Sequence, residues 1–91
     1  MAKIRKHIKV CGRVQGVGFR FFTRSAASMT GVRGFVKNLP DGSVEIEAEG
    51  TPEQMGLFLQ KVEEGPSYGN VEKTEIKPET NRVYTGFGIE Y

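Results

Sequence analysis

The chain has 91 residues, of which 37% are hydrophobic, and its 13 basic and 11 acidic side chains give a net charge of +2. This length predicts one domain, residues 1–91, with a single modest core, and the small charge argues against a strongly nucleic-acid-binding surface. The lone cysteine, Cys11, excludes an internal disulfide. No apolar run approaches the ~20 residues that span a bilayer, and no signal peptide is visible. We therefore expect a cytoplasmic protein without membrane association.

The first predicted element is a strand over residues 4–11, in which apolar and charged side chains alternate. A glycine-rich run follows, Gly12-Arg-Val-Gln-Gly-Val-Gly-Phe-Arg20. A helix is then predicted from Phe19 to Thr30, and Gly31 ends it. Its expected buried stripe has the helical period and consists of Phe19, Phe22, Ala26 and Met29.

The middle of the chain predicts a β-hairpin. One strand covers residues 32–38, the turn is Leu39-Pro-Asp-Gly42, and the second strand covers residues 43–49. In the second strand three apolar residues alternate with three glutamates, which predicts one buried and one solvated face. The glutamates are Glu45, Glu47 and Glu49.

A second helix is predicted over residues 52–64, because Thr51 and Gln54 form a capping-box pair and Pro52 suits the first helical position. Gly65-Pro66 ends this helix, and its expected buried stripe is Met55, Phe58, Leu59 and Val62.

The last third of the chain gives a weaker pattern. Residues 70–77 predict a strand, but Val71 and Ile76 do not share a parity, so either a β-bulge interrupts it or the assumed register is wrong. Residues 78–85 are polar and predict a loop. A final strand is predicted from the alternation of Phe87, Ile89 and Tyr91.

The element order β-α-β-β-α-β predicts an α+β, ferredoxin-like sandwich: an antiparallel sheet with two helices on one face and an extra C-terminal strand. The usual order places the first strand beside the third. Basic residues would then face acidic ones on the helix-free side, with Arg5, His7 and Lys9 opposite Glu45, Glu47 and Glu49. Such pairs contribute ~0.2–1 kcal/mol each, which accounts for these charges on a solvated face without a metal site.

The glycine-rich run has two interpretations. It lacks the third glycine of a dinucleotide fingerprint, since position 21 is Phe, and it lacks the Gly-Lys-Ser/Thr of a Walker A loop. It is either a tight strand-to-helix turn or an anion nest built by the amides of residues 15–20. The flanking arginines, Arg13 and Arg20, favour the nest.

Three further residues carry groups that could take part in chemistry. Asn38 precedes a turn, so it either starts that turn or aims a water molecule with its amide. His7 is expected among solvated charges, and one histidine with one cysteine does not make a zinc or Cys–His site. Cys11 is expected to pack in its strand as a small hydrophobe.

Two motifs of the chain resemble the signatures of the acylphosphatases. The first is the run from Gly12 to Arg20, and the second is Gly34-Phe-Val-Lys-Asn38-Leu-Pro-Asp-Gly42-Ser-Val44 with Gly50 after it. The resemblance covers essentially the whole chain. It implies the ferredoxin-like fold and metal-free, cofactor-free hydrolysis of the carboxyl–phosphate bond in small-molecule acyl phosphates.

The resemblance also implies roles for individual residues. Arg20 and Asn38 would be catalytic, Arg20 by binding the phosphoryl group and Asn38 by orienting the attacking water. The phosphate-binding residues would be Gln15, Gly16, Val17, Gly18, Phe19 and Arg20. Inorganic phosphate would be a product and a competitive inhibitor, and we expect a monomer with no nucleic-acid partner.

Other functions remain open from the residues alone. An RNA-binding module shares this element order, but it would need aromatic side chains where the third strand carries glutamates. A regulatory module could bind a small anion through the same loop, and the full motif around Asn38 is what favours catalysis over it. A copper-chaperone-like domain would need a Cys-x-x-Cys pair, which this chain lacks.

Overall fold

A computed structural model describes residues 2–79 and 84–90. The elements are β1 (Ile4–Arg13), α1 (Phe19–Thr30), β2 (Arg33–Asn38), β3 (Val44–Gly50), α2 (Pro52–Glu64), β4 (Asn70–Pro78) and β5 (Phe87–Glu90). The five strands form one sheet in the order β4-β1-β3-β2-β5. This order confirms the predicted ferredoxin-like fold with β1 beside β3. No helix in the described part of the chain is long and apolar enough to cross a membrane.

The sheet is mixed rather than wholly antiparallel. The pairs β1–β3, β1–β4 and β2–β3 are antiparallel, whereas β5 runs parallel to β2. Of the two explanations for the parity change in β4, the bulge is the one present. Cys11 pairs with Lys73 but Gly12 pairs with Val71, so Glu72 is the extra residue of β4. Of the predicted C-terminal loop and strand, residues 80–83 and Tyr91 lie outside the described residues.

The core lies between the sheet and the two helices. β1 and β3 contribute alternate apolar residues, as their patterns predict, and both helices pack on that face. The fully buried side chains include Ile8, Val10, Phe19, Val36, Val44, Ile46, Phe58 and Val62. The capping box of α2 is confirmed, because Thr51 Oγ1 accepts from the Gln54 amide at 3.2 Å and Gln54 Oε1 accepts from the Thr51 amide at 2.9 Å.

The predicted buried stripe of α1 is confirmed at Phe19 and Ala26, but Phe22 is only half-buried and Met29 is not part of the buried face. Met29 is 72% exposed, while Thr23 is fully buried. The buried face of α1 contains Phe19, Thr23 and Ala26. At 3.6 residues per turn, Met29 lies to one side of this face and points to solvent. Thr23 can be buried because its hydroxyl donates to the Phe19 carbonyl at 2.8 Å.

The predicted solvated face of β3 is also wrong in part. The register is as expected, but Glu47 and Glu49 are only 8% and 5% exposed. Arg5 Nε donates to Glu49 Oε2 at 2.7 Å, and the Tyr84 hydroxyl donates to Glu47. Neighbouring side chains cover both carboxylates on the helix-free face of the sheet. The hydrogen bonds from Arg5 and Tyr84 offset the cost of burying them.

Candidate active site

The first part of the site is the loop between β1 and α1. Gly16 and Gly18 have left-handed backbone conformations, with φ of 75° and 78°. Only glycine adopts these routinely. Gly18 is the N-cap of α1 and provides no side-chain hydrogen bond to the helix. The chain therefore enters α1 through a tight turn that leaves the helix end uncovered by a capping side chain.

The first turn of α1 presents backbone donors toward this loop. Phe22 makes the first intrahelical bond, to the Gly18 carbonyl at 2.9 Å, so the amides of residues 18–21 precede it. The first turn carries no acidic residue. α2 differs, since a capping box and Glu53 occupy its N-terminus. The positive end of the α1 dipole thus faces the loop without a compensating charge from its own first turn.

Asn38 supplies the second part of the site from the last position of β2. Its Oδ1 is buried and has no hydrogen-bond partner among the described residues. A buried amide oxygen without a donor costs ~1–3 kcal/mol. In a native fold such an atom is normally satisfied by a group outside the protein chain, such as a bound water, an ion or a ligand.

A cavity of about 110 Å³ joins these two parts. Its lining residues are Val14, Gly16, Gly18, Phe19, Arg20, Phe21 and Asn38. The volume exceeds the ~10–15 Å³ that one water needs, so the cavity has room for a group of several atoms. Its lining residues include glycines of the loop, one arginine and one asparagine, and none of the described lining side chains is a carboxylate. This arrangement can bind a tetrahedral anion and a water beside it.

Comparison with known proteins decides the family. Residues 6–89 match the family model for acylphosphatase. The chain belongs to the acylphosphatase family. Enzymes of this family are hydrolases acting on acid anhydrides, and the chain is an enzyme of that class.

Individual relatives agree with this assignment over nearly the whole chain. The acylphosphatase of Thermococcus kodakarensis is 40% identical over 89 residues, which cover 98% of each chain. That of Oceanobacillus iheyensis is 48% identical over 90 residues, 94% of this chain and 99% of the relative. The crystal structure of acylphosphatase from Bacillus subtilis matches with a TM-score of 0.93 and 36% identity, over 97% of this chain and 99% of that one.

The cavity contains most of the residues that the acylphosphatase resemblance singles out, but not all of them. Gly16, Gly18, Phe19, Arg20 and Asn38 line it, whereas Gln15 and Val17 do not. The Gln15 side chain points to the β2–β3 turn, where Nε2 donates to the carbonyls of Leu39 and Ser43, both at 2.8 Å. Val17 is half-buried and packs against the core.

Two lining residues, Val14 and Phe21, were missed in the sequence. Val14 is fully buried, and nothing in its local pattern separates it from other core valines. Phe21 had a signal: it is a large apolar residue off the buried stripe of α1, directly after Arg20. Such a residue on the solvent side of an amphipathic helix has no role in the core.

The turn after Asn38 is held by charge and hydrogen bonds. Asp41 accepts from the Ser43 hydroxyl and from the Ser43 amide, the latter at 2.9 Å, and Lys9 Nζ lies 2.9 Å from Asp41 Oδ2. The Ser43 hydroxyl, then the Ser43 amide and Lys9 hold the pKa of Asp41 well below its ordinary value. The turn is thereby fixed while the Asp41 carboxylate stays ionised and paired.

Two larger grooves lie elsewhere on the molecule. One, of about 470 Å³, includes Phe35 and Tyr84, and the other, of about 510 Å³, includes Arg24 and Ser28. Neither groove is lined by Arg20 or Asn38, so the smaller cavity is the one that combines these two residues with the start of α1.

One group of described residues offers metal ligands. One atom each of His7, Glu45 and Glu47 lies within 4.8 Å of the others. Hydrogen bonds already engage them, since His7 Nε2 lies 2.8 Å from Glu45 Oε2 and Tyr84 donates to Glu47. The group lies on the helix-free face and contributes nothing to the cavity lining.

Proposed function

We propose that this protein hydrolyses the carboxyl–phosphate bond of acyl phosphates in the cavity between α1 and Asn38. The loop amides and Arg20 bind the phosphoryl group, and Asn38 orients the attacking water. One observation carries the proposal: Asn38, whose buried Oδ1 has no hydrogen-bond partner among the described residues, lines the same small cavity as Arg20 and the uncapped N-terminus of α1.

Binding of the phosphoryl group needs donors on several sides of it. The amides of the first α1 turn point from one direction, and the Arg20 guanidinium provides a planar fork of N–H donors that suits phosphoryl oxygens. Since phosphoryl transfer demands mainly positioning and charge stabilisation, these donors supply what the reaction requires.

The attacking water would be held by Asn38. Its Oδ1 accepts one water hydrogen and aims the water oxygen at phosphorus, in line with the carboxyl oxygen that leaves. A new O–P bond forms as the P–O bond to the acyl group breaks, and the carboxylate departs with that electron pair. The water proton passes to the phosphate, because an amide cannot act as a base. The products are a carboxylate and inorganic phosphate.

The proposed reaction needs no metal ion. Mg²⁺ sites in phosphoryl-transfer enzymes use carboxylate ligands, and the described cavity lining has none. Arg20 and the α1 dipole supply positive charge in its place. Inorganic phosphate would occupy the same donors and compete with substrate. Since Arg20 and Asn38 line one cavity within a single chain, the proposed reaction needs no second subunit, and we propose a monomer as the active form.

Hydrolysis of benzoyl phosphate in EDTA, followed by ultraviolet absorbance, tests the proposal. Wild type should turn over, Arg20→Ala should lose nearly all activity, and Arg33→Ala should match wild type, because Arg33 is an exposed arginine of β2 outside the cavity. Loss of wild-type activity in EDTA with recovery in Mg²⁺ would refute the metal-free reaction. A folded wild-type protein that binds phosphate without turnover would instead indicate a regulatory anion-binding module.

A further inference from the structure

Phe21 has an unusual position for a large apolar side chain. It lines the cavity beside Arg20, yet it is 53% exposed. The other apolar side chains of the lining, Val14 and Phe19, are each 1% exposed and belong to the core. Among the described lining residues, Phe21 is therefore the apolar side chain that is both in the cavity wall and exposed at the protein surface.

An acyl phosphate has two ends with different needs. Its phosphoryl end is an anion that suits the amides and Arg20, while its acyl end gains nothing from those donors. When the phosphoryl group fills the cavity, the acyl group must extend toward solvent, and Phe21 is the apolar surface at that opening. An aromatic ring there can cover an apolar or aromatic acyl group and remove both from water.

Resting on the function proposed above, we propose that Phe21 is a specificity-determining residue that contacts the acyl group. It favours acyl phosphates whose acyl portion is apolar and large over those with a short one. The contact is made before and during bond cleavage, so it lowers KM more than it raises kcat.

Arg24 contacts the Phe21 ring. Its guanidinium carbon lies 5.3 Å from the ring centroid, within the range of a cation–π contact. Arg24 is exposed and lies outside the cavity lining, so this contact is made on the solvent side of the ring.

The experiment compares benzoyl phosphate with acetyl phosphate in wild type, Phe21→Ala and Phe21→Leu. Phe21→Ala should reduce kcat/KM for benzoyl phosphate about three- to tenfold through KM, while acetyl phosphate changes less than about twofold. Phe21→Leu should recover part of the loss. The inhibition constant of inorganic phosphate should not change, because phosphate has no acyl group. Met29→Ala is the matched control, an exposed apolar residue of the same helix.

The outcomes separate this inference from the function beneath it. Wild type that hydrolyses neither substrate overturns the proposed function and this inference with it. Wild type that hydrolyses both, with equal losses or no loss in Phe21→Ala, overturns the role of Phe21 alone. A selective loss for benzoyl phosphate with unchanged phosphate inhibition supports it.

Discussion

The side-chain amide of Gln15 donates a 2.8 Å hydrogen bond to the backbone carbonyl of Leu39. Gln15 precedes the left-handed glycines of the α1 loop, and Leu39 follows Asn38 directly. The second hydrogen of the same amide binds the Ser43 carbonyl, also at 2.8 Å. One side chain therefore ties the two chain segments that form the cavity, although it does not line the cavity itself.

We expect Gln15→Glu to lower kcat with little change in the inhibition constant of phosphate. The substitution keeps the side-chain length but replaces two N–H donors with a carboxylate facing two carbonyl oxygens. Asn38 would shift relative to the loop, and displaced supporting groups typically cost about 10- to 100-fold. The kinetics of benzoyl phosphate hydrolysis measure the effect, and Gln60→Glu, at an exposed position of α2, is the control. An unchanged kcat would show that the two segments hold their positions without Gln15.

Two glycines with positive φ should respond differently to alanine. At Gly34 a Cβ would lie 1.8 Å from the Glu47 carbonyl oxygen, whereas at Gly42 it would meet nothing within 4 Å. Gly42→Ala should therefore cost only backbone strain, about 1–2 kcal/mol. Gly34→Ala should cost more than ~3 kcal/mol, because β2 must move away from β3. Urea unfolding measures both, and equal losses would mean that the β2–β3 pair yields easily.

The elements of this fold could be predicted well because local signals agree with the tertiary structure. Both helices begin and end where glycine, proline and the Thr51–Gln54 pair indicate. The predicted exposure of Glu47 and Glu49 was wrong although Arg5 was expected opposite them, because a cross-strand pattern does not show how far neighbouring side chains cover the carboxylates. The hydrogen bond from Tyr84 to Glu47 joins residues that are distant in sequence, and no local signal predicts it. Similarly, the exposure of Met29 depends on which face of α1 the sheet covers.

The site was less predictable than the fold. Glycine spacing indicated an anion loop, and the family motifs named Arg20 and Asn38. Arg20 and Asn38 line one cavity because β2 ends beside the start of α1. This proximity arises only when the strands assemble into the sheet. The direction of the Gln15 side chain was hidden for the same reason, since its partners, Leu39 and Ser43, are remote in sequence.

The Asp41 carboxylate should make stability depend on pH in the acid range. Its folded-state pKa is depressed, chiefly by the Ser43 hydroxyl and amide and then by Lys9. A depressed carboxyl pKa stabilises the fold above the unfolded value near 3.8 and loses that contribution as pH falls toward the folded value. Asp41→Asn should therefore destabilise the protein at pH 7 and have less effect at pH 2.

Urea unfolding at both pH values measures this contribution, with Glu72→Gln at an exposed position as the control. The same loss for Asp41→Asn at both pH values would mean that the charge of Asp41 is immaterial and that only the turn geometry matters.

The same ion pair makes stability depend on pH in the alkaline range as well. Asp41 raises the pKa of Lys9 above its ordinary value of 10.5. The contribution of Lys9 to stability is therefore present below pH 10.5 and declines as pH rises beyond it.

Asn38→Ala should separate activity from stability. If Asn38 orients the water, kcat should fall about 10²- to 10³-fold, as when one positioned polar group is removed from an active site. Because its Oδ1 is buried and has no hydrogen-bond partner among residues 2–79 and 84–90, removal of the side chain relieves a desolvation cost. Stability should then stay within about 1 kcal/mol of wild type or rise.

Asn70→Ala, at an exposed asparagine of β4, is the matched control for both measurements. Phosphate binding should persist in Asn38→Ala, since Arg20 and the α1 amides are untouched. Full activity with normal phosphate binding would refute the water-orienting role. A large loss of stability would instead assign Asn38 to the structure of the β2–β3 turn, where asparagine commonly serves.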